Sequence, residues 1–187
     1  MNELIEAAAE LQRFCIERDW KFYFIGGLVV QEWAQPRFTR DVDITLLTGF
    51  GGEETYIEEF LRHYISRLPD AREFALRNRV LLLTAKSGVP IDIALGALPF
   101  EEAAVGRARE VEVYPNVKLR FCTPEDLIVM KAFAGRIQDW EDLRMTIVRQ
   151  GAEKLDWKYI LKNLELLLDG QQPDTFERLD KLREKYR

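Results

Sequence analysis

An α/β (α+β) fold, a mixed sheet flanked by helices and followed by a helical C-terminal region, is what this 187-residue chain predicts. Three observations carry that expectation. Short runs with period-2 alternation of apolar and polar residues recur through the first two thirds of the chain, and segments with helical spacing of apolar residues interrupt them. From Pro124 onward the strand pattern stops and every periodic segment is helical. The division is therefore expected at 122/123, with an α/β domain over 1–122 and a helical region over 123–187 that closes a cleft. The length is enough to bury a sizeable core and suits one domain with a small helical appendage.

The elements follow in order. Asn2 is placed to cap a helix through about Asp19, whose Leu4, Ala8, Leu11 and Cys15 share an apolar face. A strand is expected over 21–25, a helix over 27–35, a strand over 41–47 and a glycine-rich loop over 48–52. One helix is expected over 54–67, then strands over 78–86 and 89–95, joined as a hairpin through Lys86-Ser87-Gly88. A short helix over 99–106 precedes a strand pair, 109–114 and 117–121, turning at Pro115-Asn116. Thr123 followed by Pro124 is a strong helix start, because proline costs nothing at a first turn whose N–H groups lack helical partners. Helices over 124–134, 138–150, 156–168 and 173–185 complete the chain, broken at Gly151 and at Gly170-Gln171-Gln172-Pro173.

Chemistry concentrates between Gly26 and Asp43. Asp41 and Asp43 alternate with Val42, Ile44 and Leu46, so both carboxylates leave one face of a strand while the aliphatic residues enter the core. Adjacent carboxylates repel, and a divalent cation relieves them; oxygen ligands favour Mg²⁺ or Mn²⁺ bridged to phosphates. Asp92 stands alone in the apolar run Val89-Pro90-Ile91-Asp92-Ile93-Ala94-Leu95 and needs a cation or several hydrogen bonds there. If its strand lies beside that of Asp41 and Asp43, three carboxylates converge in a site for two-metal phosphoryl or nucleotidyl transfer. Gly26 and Gly27 sit at a strand-to-helix turn, where exposed N–H groups and the missing side chain let a phosphate approach.

The sequence Gly26-Gly27, then Arg37, Thr39, Asp41-Val42-Asp43-Ile44 and finally Asp92 resembles the nucleotidyltransferase superfamily that shares its catalytic fold with DNA polymerase beta. Downstream, the run from Thr123 to Leu143 contains Lys131-Ala132-Phe133-Ala134-Gly135-Arg136-Ile137-Gln138-Asp139-Trp140-Glu141-Asp142. It is similar to the lysine-containing helix of the abortive-infection nucleotidyltransferase toxins. The resemblance covers roughly residues 20 to 145 in four separate motifs, which is more specific than any one of them.

That resemblance implies a Mg²⁺- or Mn²⁺-dependent transfer of a nucleoside monophosphate from a nucleoside triphosphate, ATP among them, to an acceptor hydroxyl. Asp41, Asp43 and Asp92 would be metal ligands, and Asp92 would also help deprotonate the acceptor. Gly26, Gly27, Arg37, Thr39, Lys131, Arg136 and Asp139 would serve the nucleotide, with Lys131 offsetting charge on the leaving pyrophosphate. Read without the resemblance, Lys131 is a snorkelling surface lysine, Arg37 and Thr39 brace the turn, and Asp139 favours its helix N-terminus. Asp142 reads as a solvated or capping charge. An RNA or tRNA 3′ end, with a neutralising antitoxin, is the acceptor setting the resemblance implies. A small molecule, a protein hydroxyl, or a non-catalytic module retaining the fold are the alternatives.

Composition sets the remaining bounds. With 27 basic and 32 acidic residues the formal charge is −5, so no global field recruits nucleic acid, and RNA contact would need a local patch. Arg107, Arg109, Lys118 and Arg120, or Lys181, Arg183, Lys185 and Arg187, are the candidates. Cys15 and Cys122 have no metal-site or disulfide spacing, which suggests a reducing cytoplasm, and no apolar run approaches a membrane span. Gly49-Phe50-Gly51-Gly52 lacks the Lys-Ser/Thr of a phosphate loop and reads as a flexible loop; His63 reads as a surface residue, and the four tryptophans as core.

Overall fold

The computed structural model describes residues 2–172 and 174–187, so Pro173 at the last helix boundary lies outside the described residues. The chain divides into two compact units, one comprising residues 1–28 and 38–122, the other 29–37 and 123–187. The segment Val29–Arg37 thus belongs with the C-terminal helices, although it is remote from them in sequence.

The first unit is built on a seven-stranded sheet. Its strands are β1 (Phe22–Ile25), β2 (Val42–Leu47), β3 (Ile65–Ser66), β4 (Val80–Thr84), β5 (Pro90–Gly96), β6 (Arg109–Tyr114) and β7 (Val117–Phe121), in the spatial order β3-β4-β5-β2-β1-β7-β6. Two pairings are parallel, β2 with β5 and β1 with β7; the others are antiparallel. The alternation in the sequence decides what each face does. Phe22 pairs with Leu46, Phe24 with Ile44, Ile44 with Ile93 and Leu81 with Ile93, and these side chains form a fully buried layer. Burial of each such side chain contributes about 1.5–3 kcal/mol. On the opposite face Tyr23, Thr45 and Ala94 are in register, one row along from Asp43 and Asp92.

Helices complete this unit. In α1 (Glu3–Ile16), Asn2 Oδ1 accepts the Ile5 N–H at 2.9 Å, as the cap position predicts, and Ala8, Leu11 and Cys15 are buried. The helix expected over 54–67 is instead a helix followed by a short strand. Helix α3 (Glu53–His63) ends at Tyr64, whose extended backbone (φ −120°, ψ 155°) leads into β3, and α4 (Ala71–Asn78) follows. Pro69 restricts Leu68 to extended conformations, so no helix crosses this point. The strand expected from residue 78 starts at Val80 because Asn78 ends α4 and Arg79 caps it in the left-handed region (φ 55°). The loop over 48–52 enters α3 directly, with Gly52 at its N-cap. Helix α5 (Pro99–Arg107) and the β6–β7 hairpin lie where alternation and the Pro115-Asn116 turn place them.

Helix α2 (Gly26–Trp33) runs from the first unit into the second. The second unit contains α6 (Pro124–Ala134), α7 (Ile137–Gln150), α8 (Trp157–Leu168) and α9 (Asp174–Lys185). Thr123 Oγ1 accepts the Asp126 N–H while Asp126 Oδ2 accepts the Thr123 N–H, a reciprocal cap that fixes the start of α6. Gly135 ends it in the left-handed region (φ 66°). Helix α6 packs against α7 and α8, and its Leu127, Ile128, Val129 and Ala132 are buried. Among the described residues no helix is long and apolar enough to cross a membrane.

Candidate active site

The carboxylate strands are neighbours. In the β2–β5 pair, Asp43 and Asp92 are register partners on parallel strands, so both leave the same face side by side. Asp41 lies two residues before Asp43, just ahead of β2, and returns to that face. All three are partly exposed in a sheet whose flanking Val42, Ile44, Ile91 and Ile93 are buried.

The glycine pair has a structural task that its spacing did not reveal. Gly26 has φ +67°, and a Cβ there would come within 1.9 Å of Asp43 Oδ2. A Cβ on Gly27 would lie 2.2 Å from Thr39 Oγ1. Thr39 Oγ1 in turn donates to Asp41 Oδ1 at 2.8 Å. The glycines make room for Asp43 and for the threonine that steers Asp41. Gly26→Ala is accordingly expected to cost about 1–2 kcal/mol from the left-handed backbone alone, and to displace Asp43. A denaturant midpoint and a transfer assay on the same preparation would check both effects, and wild-type values in either would refute this packing role.

Asp92 has a partner the sequence did not disclose. The Arg67 guanidinium, just beyond β3, donates to Asp92 Oδ1. Burial pushes the Asp92 carboxyl above its usual range; Arg67 opposes this and the nearby Asp41 charge adds to it, so the net shift is upward. That repulsion is the electrostatic sign that Asp41 and Asp92 share one field. The donor set, three hard carboxylate groups on one sheet face, fits a divalent cation in kind. Among the described residues, however, no group of three or more His, Cys, Asp and Glu side chains is gathered closely enough to hold a metal ion.

The second group of singled-out residues assembles inside the helical unit. Lys131 is 8% exposed, and its Nζ donates to Asp139 Oδ1 and Asp142 Oδ2, each at 2.8 Å. Arg37 forks onto Asp142 with Nε and Nη2, at 2.9 and 3.1 Å, and Arg136 Nε donates to Asp139 Oδ2 at 2.6 Å. Gln138 Nε2 adds a bond to Asp142 Oδ1 at 3.1 Å. The snorkelling reading of Lys131 is thereby excluded, and Asp142, expected as a solvated or capping charge, is 3% exposed. Its burial follows from serving two cations at once, one of them 105 residues away. Burial works to raise both aspartates, but bonds from Arg136 and Lys131 at Asp139, and from Arg37, Lys131 and Gln138 at Asp142, outweigh it and hold both carboxyls below their usual range.

Other candidates belong to neither cluster. Glu110 faces Arg120 and Glu112 faces Lys118 across the β6–β7 hairpin, so that basic group is interleaved with acids. At the C-terminus Lys181 pairs with Glu177, and Arg183 lies over the Trp157 ring. His63 is exposed; Trp140 and Trp157 are buried, and Trp20 and Trp33 partly so. Cys15 and Cys122 are buried and unbridged, and burial pushes the Cys15 thiol up to about 12, which leaves it unreactive at neutral pH.

Comparison with known proteins agrees with this fold. A family model described as a nucleotidyl transferase of unknown function matches residues 1–181. No curated protein matches the chain. Among solved structures, an antigenic nucleotidyltransferase-like protein from Paracoccidioides brasiliensis is similar over 95% of this chain and 92% of its own, at 14% identity and TM-score 0.56. The antibiotic-resistance factor ANT(2'')-Ia, in complex with adenylyl-2''-tobramycin, is similar over 100% of both chains at 16% identity and TM-score 0.55. A lincomycin-bound lincosamide antibiotic adenylyltransferase, LnuA, is similar over 78% of this chain and 96% of its own, at 13% identity and TM-score 0.50. At such identities the likeness is one of fold.

Proposed function

The chain belongs to this family of nucleotidyl transferases, and from that premise we propose that it transfers a nucleoside monophosphate from a nucleoside triphosphate to a hydroxyl of a small polar acceptor. The observation that carries the reading is the in-register placement of Asp43 and Asp92 on adjacent parallel strands, with Asp41 two residues ahead and Gly26 opening the space beside Asp43.

Asp41 and Asp43 would hold Mg²⁺ or Mn²⁺, with Asp92 as the third ligand; the cation would offset charge on the phosphates and orient them. Asp92, raised by burial, is suited to take the proton of the acceptor hydroxyl. As that oxygen bonds to the α-phosphorus, the bond to the bridging oxygen of the β-phosphate breaks and pyrophosphate leaves. Thr39 fixes Asp41 for this task through its 2.8 Å bond. Arg37, Lys131, Arg136 and Asp139 enter as the electrostatic lattice of the helical unit.

A small acceptor is favoured over RNA by charge. The chain is net negative, and within the two basic groups Lys118 and Arg120 face acids across the hairpin, Lys181 pairs with Glu177 and Arg183 lies over a ring. The structural neighbours that act on antibiotics point the same way.

The test is incubation with each α-labelled nucleoside triphosphate and Mg²⁺, against hydroxyl-bearing aminoglycosides and lincosamides, total RNA and protein in separate reactions. Label on a small product, absent with chelator, is expected. Label on RNA alone would overturn the acceptor assignment while retaining the chemistry, and the absence of any metal-dependent label would leave a non-catalytic member of the family.

A further inference from the structure

Four residues form one row across the sheet beside the carboxylates. The Arg67 N–H donates to Leu82 O at 3.1 Å, Leu82 pairs with Asp92, and Asp92 pairs with Asp43. Register partners share a face, so the Arg67 side chain crosses the width of β4 to reach Asp92, a separation of about two strand spacings, or 9.6 Å. It takes Oδ1 from the β4 side, the side away from β2 and Asp43. Both partners are only about one-third exposed, at 32% and 34%.

We propose that Arg67 is the resting counter-ion of Asp92 and exchanges partners during the reaction cycle, passing from the carboxylate to a substrate phosphate. The inference rests on the metal-dependent reading given above. A carboxylate oxygen that accepts a guanidinium bond is less available to a cation, and the direction of the pull keeps Asp92 from closing on Asp41 and Asp43. Release is inexpensive, because an ion pair this exposed is held by little net free energy. The freed guanidinium then stands on the face where the triphosphate carries its charge, and its planar fork suits phosphate as well as carboxylate. One arginine thus serves two states. It neutralises the isolated carboxylate when the site is unloaded and leaves it when the cation replaces that charge.

Two variants separate this from a bracing role. Arg67→Ala and Arg67→Gln both remove the charge, and Gln keeps much of the stem should Ala unfold β3. Mn²⁺ binding, followed by the electron paramagnetic resonance of the free ion without nucleotide, is expected to tighten about threefold in either variant. In steady-state assays KM for the nucleoside triphosphate is expected to rise about tenfold with kcat nearly unchanged. Unchanged or weaker Mn²⁺ affinity would overturn the exchange, since Arg67 would then orient Asp92 or merely brace it. Tighter Mn²⁺ with an unaltered KM would overturn its phosphate half. Failure of the underlying functional reading has a different signature: wild-type protein that binds no Mn²⁺ at the Asp41–Asp43 pair.

Discussion

Asp43→Asn is expected to lower kcat/KM for nucleotidyl transfer by about a thousandfold or more, equivalent to about 4 kcal/mol of transition-state stabilisation. Asparagine has nearly the shape of aspartate, so it fits against Gly26 and leaves the Ile44 and Val42 layer in place. What it removes is one negative charge and a strong oxygen ligand from the register partner of Asp92. Asp41→Asn, at the position steered by Thr39, is expected to fall by a similar factor. The readout is initial rate with labelled nucleotide, alongside circular dichroism to show that the fold is kept. Activity within tenfold of wild type in a folded Asp43→Asn protein would sink the metal-carboxylate reading. Chelation should act as the variant does, and added Mg²⁺ should restore the wild type but not the variant.

Much of this site could be read from the chain because its signals are local. Alternation around Asp41 and Asp43 fixes which face the carboxylates leave, and the apolar run around Asp92 marks a strand with one charge to place. The Thr123-Pro124 start and Gly135 stop bound α6 to the residue. The two helical and strand boundaries that were missed lie where long-range pairing overrides local preference. Ile65 and Ser66 become a strand only because β4 presents Thr84 and Leu83 to them, and Arg79 accepts a left-handed backbone while its guanidinium binds Leu95 O and Glu53. Charge partners were the least legible feature. Arg67 is 25 residues from Asp92, and Arg37 is 105 from Asp142; no spacing rule marks either. Pro69 bars a helix from continuing through Leu68, but it is no local sign that α3 ends as early as His63.

The helical unit carries the largest expected effect on stability. Asp142→Ala is expected to destabilise the protein by about 3–5 kcal/mol, because it leaves Lys131 and Arg37 short of a buried counter-charge. For a chain of this size that lowers Tm by roughly 6–20 °C. Arg136→Ala offers the contrast. Its side chain is 76% exposed, and losing its pair with Asp139 should cost about 1 kcal/mol or less. Lys131→Met alone should resemble Asp142→Ala, since it takes the shared buried cation from Asp139 and Asp142, while the double variant Lys131→Met/Asp142→Leu should lose less than the sum of the singles. The pH dependence has a definite sign. Asp139 and Asp142 are held below the usual carboxylate range, so their stabilisation is present above the unfolded value of about 3.9 and is lost as pH falls through the lower folded values. Asp142→Asn should therefore flatten the acid limb of the stability curve. Thermal melts of the five variants and the wild type between neutral and strongly acid pH decide the matter. An Asp142→Ala protein that melts within 1–2 °C of wild type would mean that the contacts around Lys131 contribute about 1 kcal/mol or less.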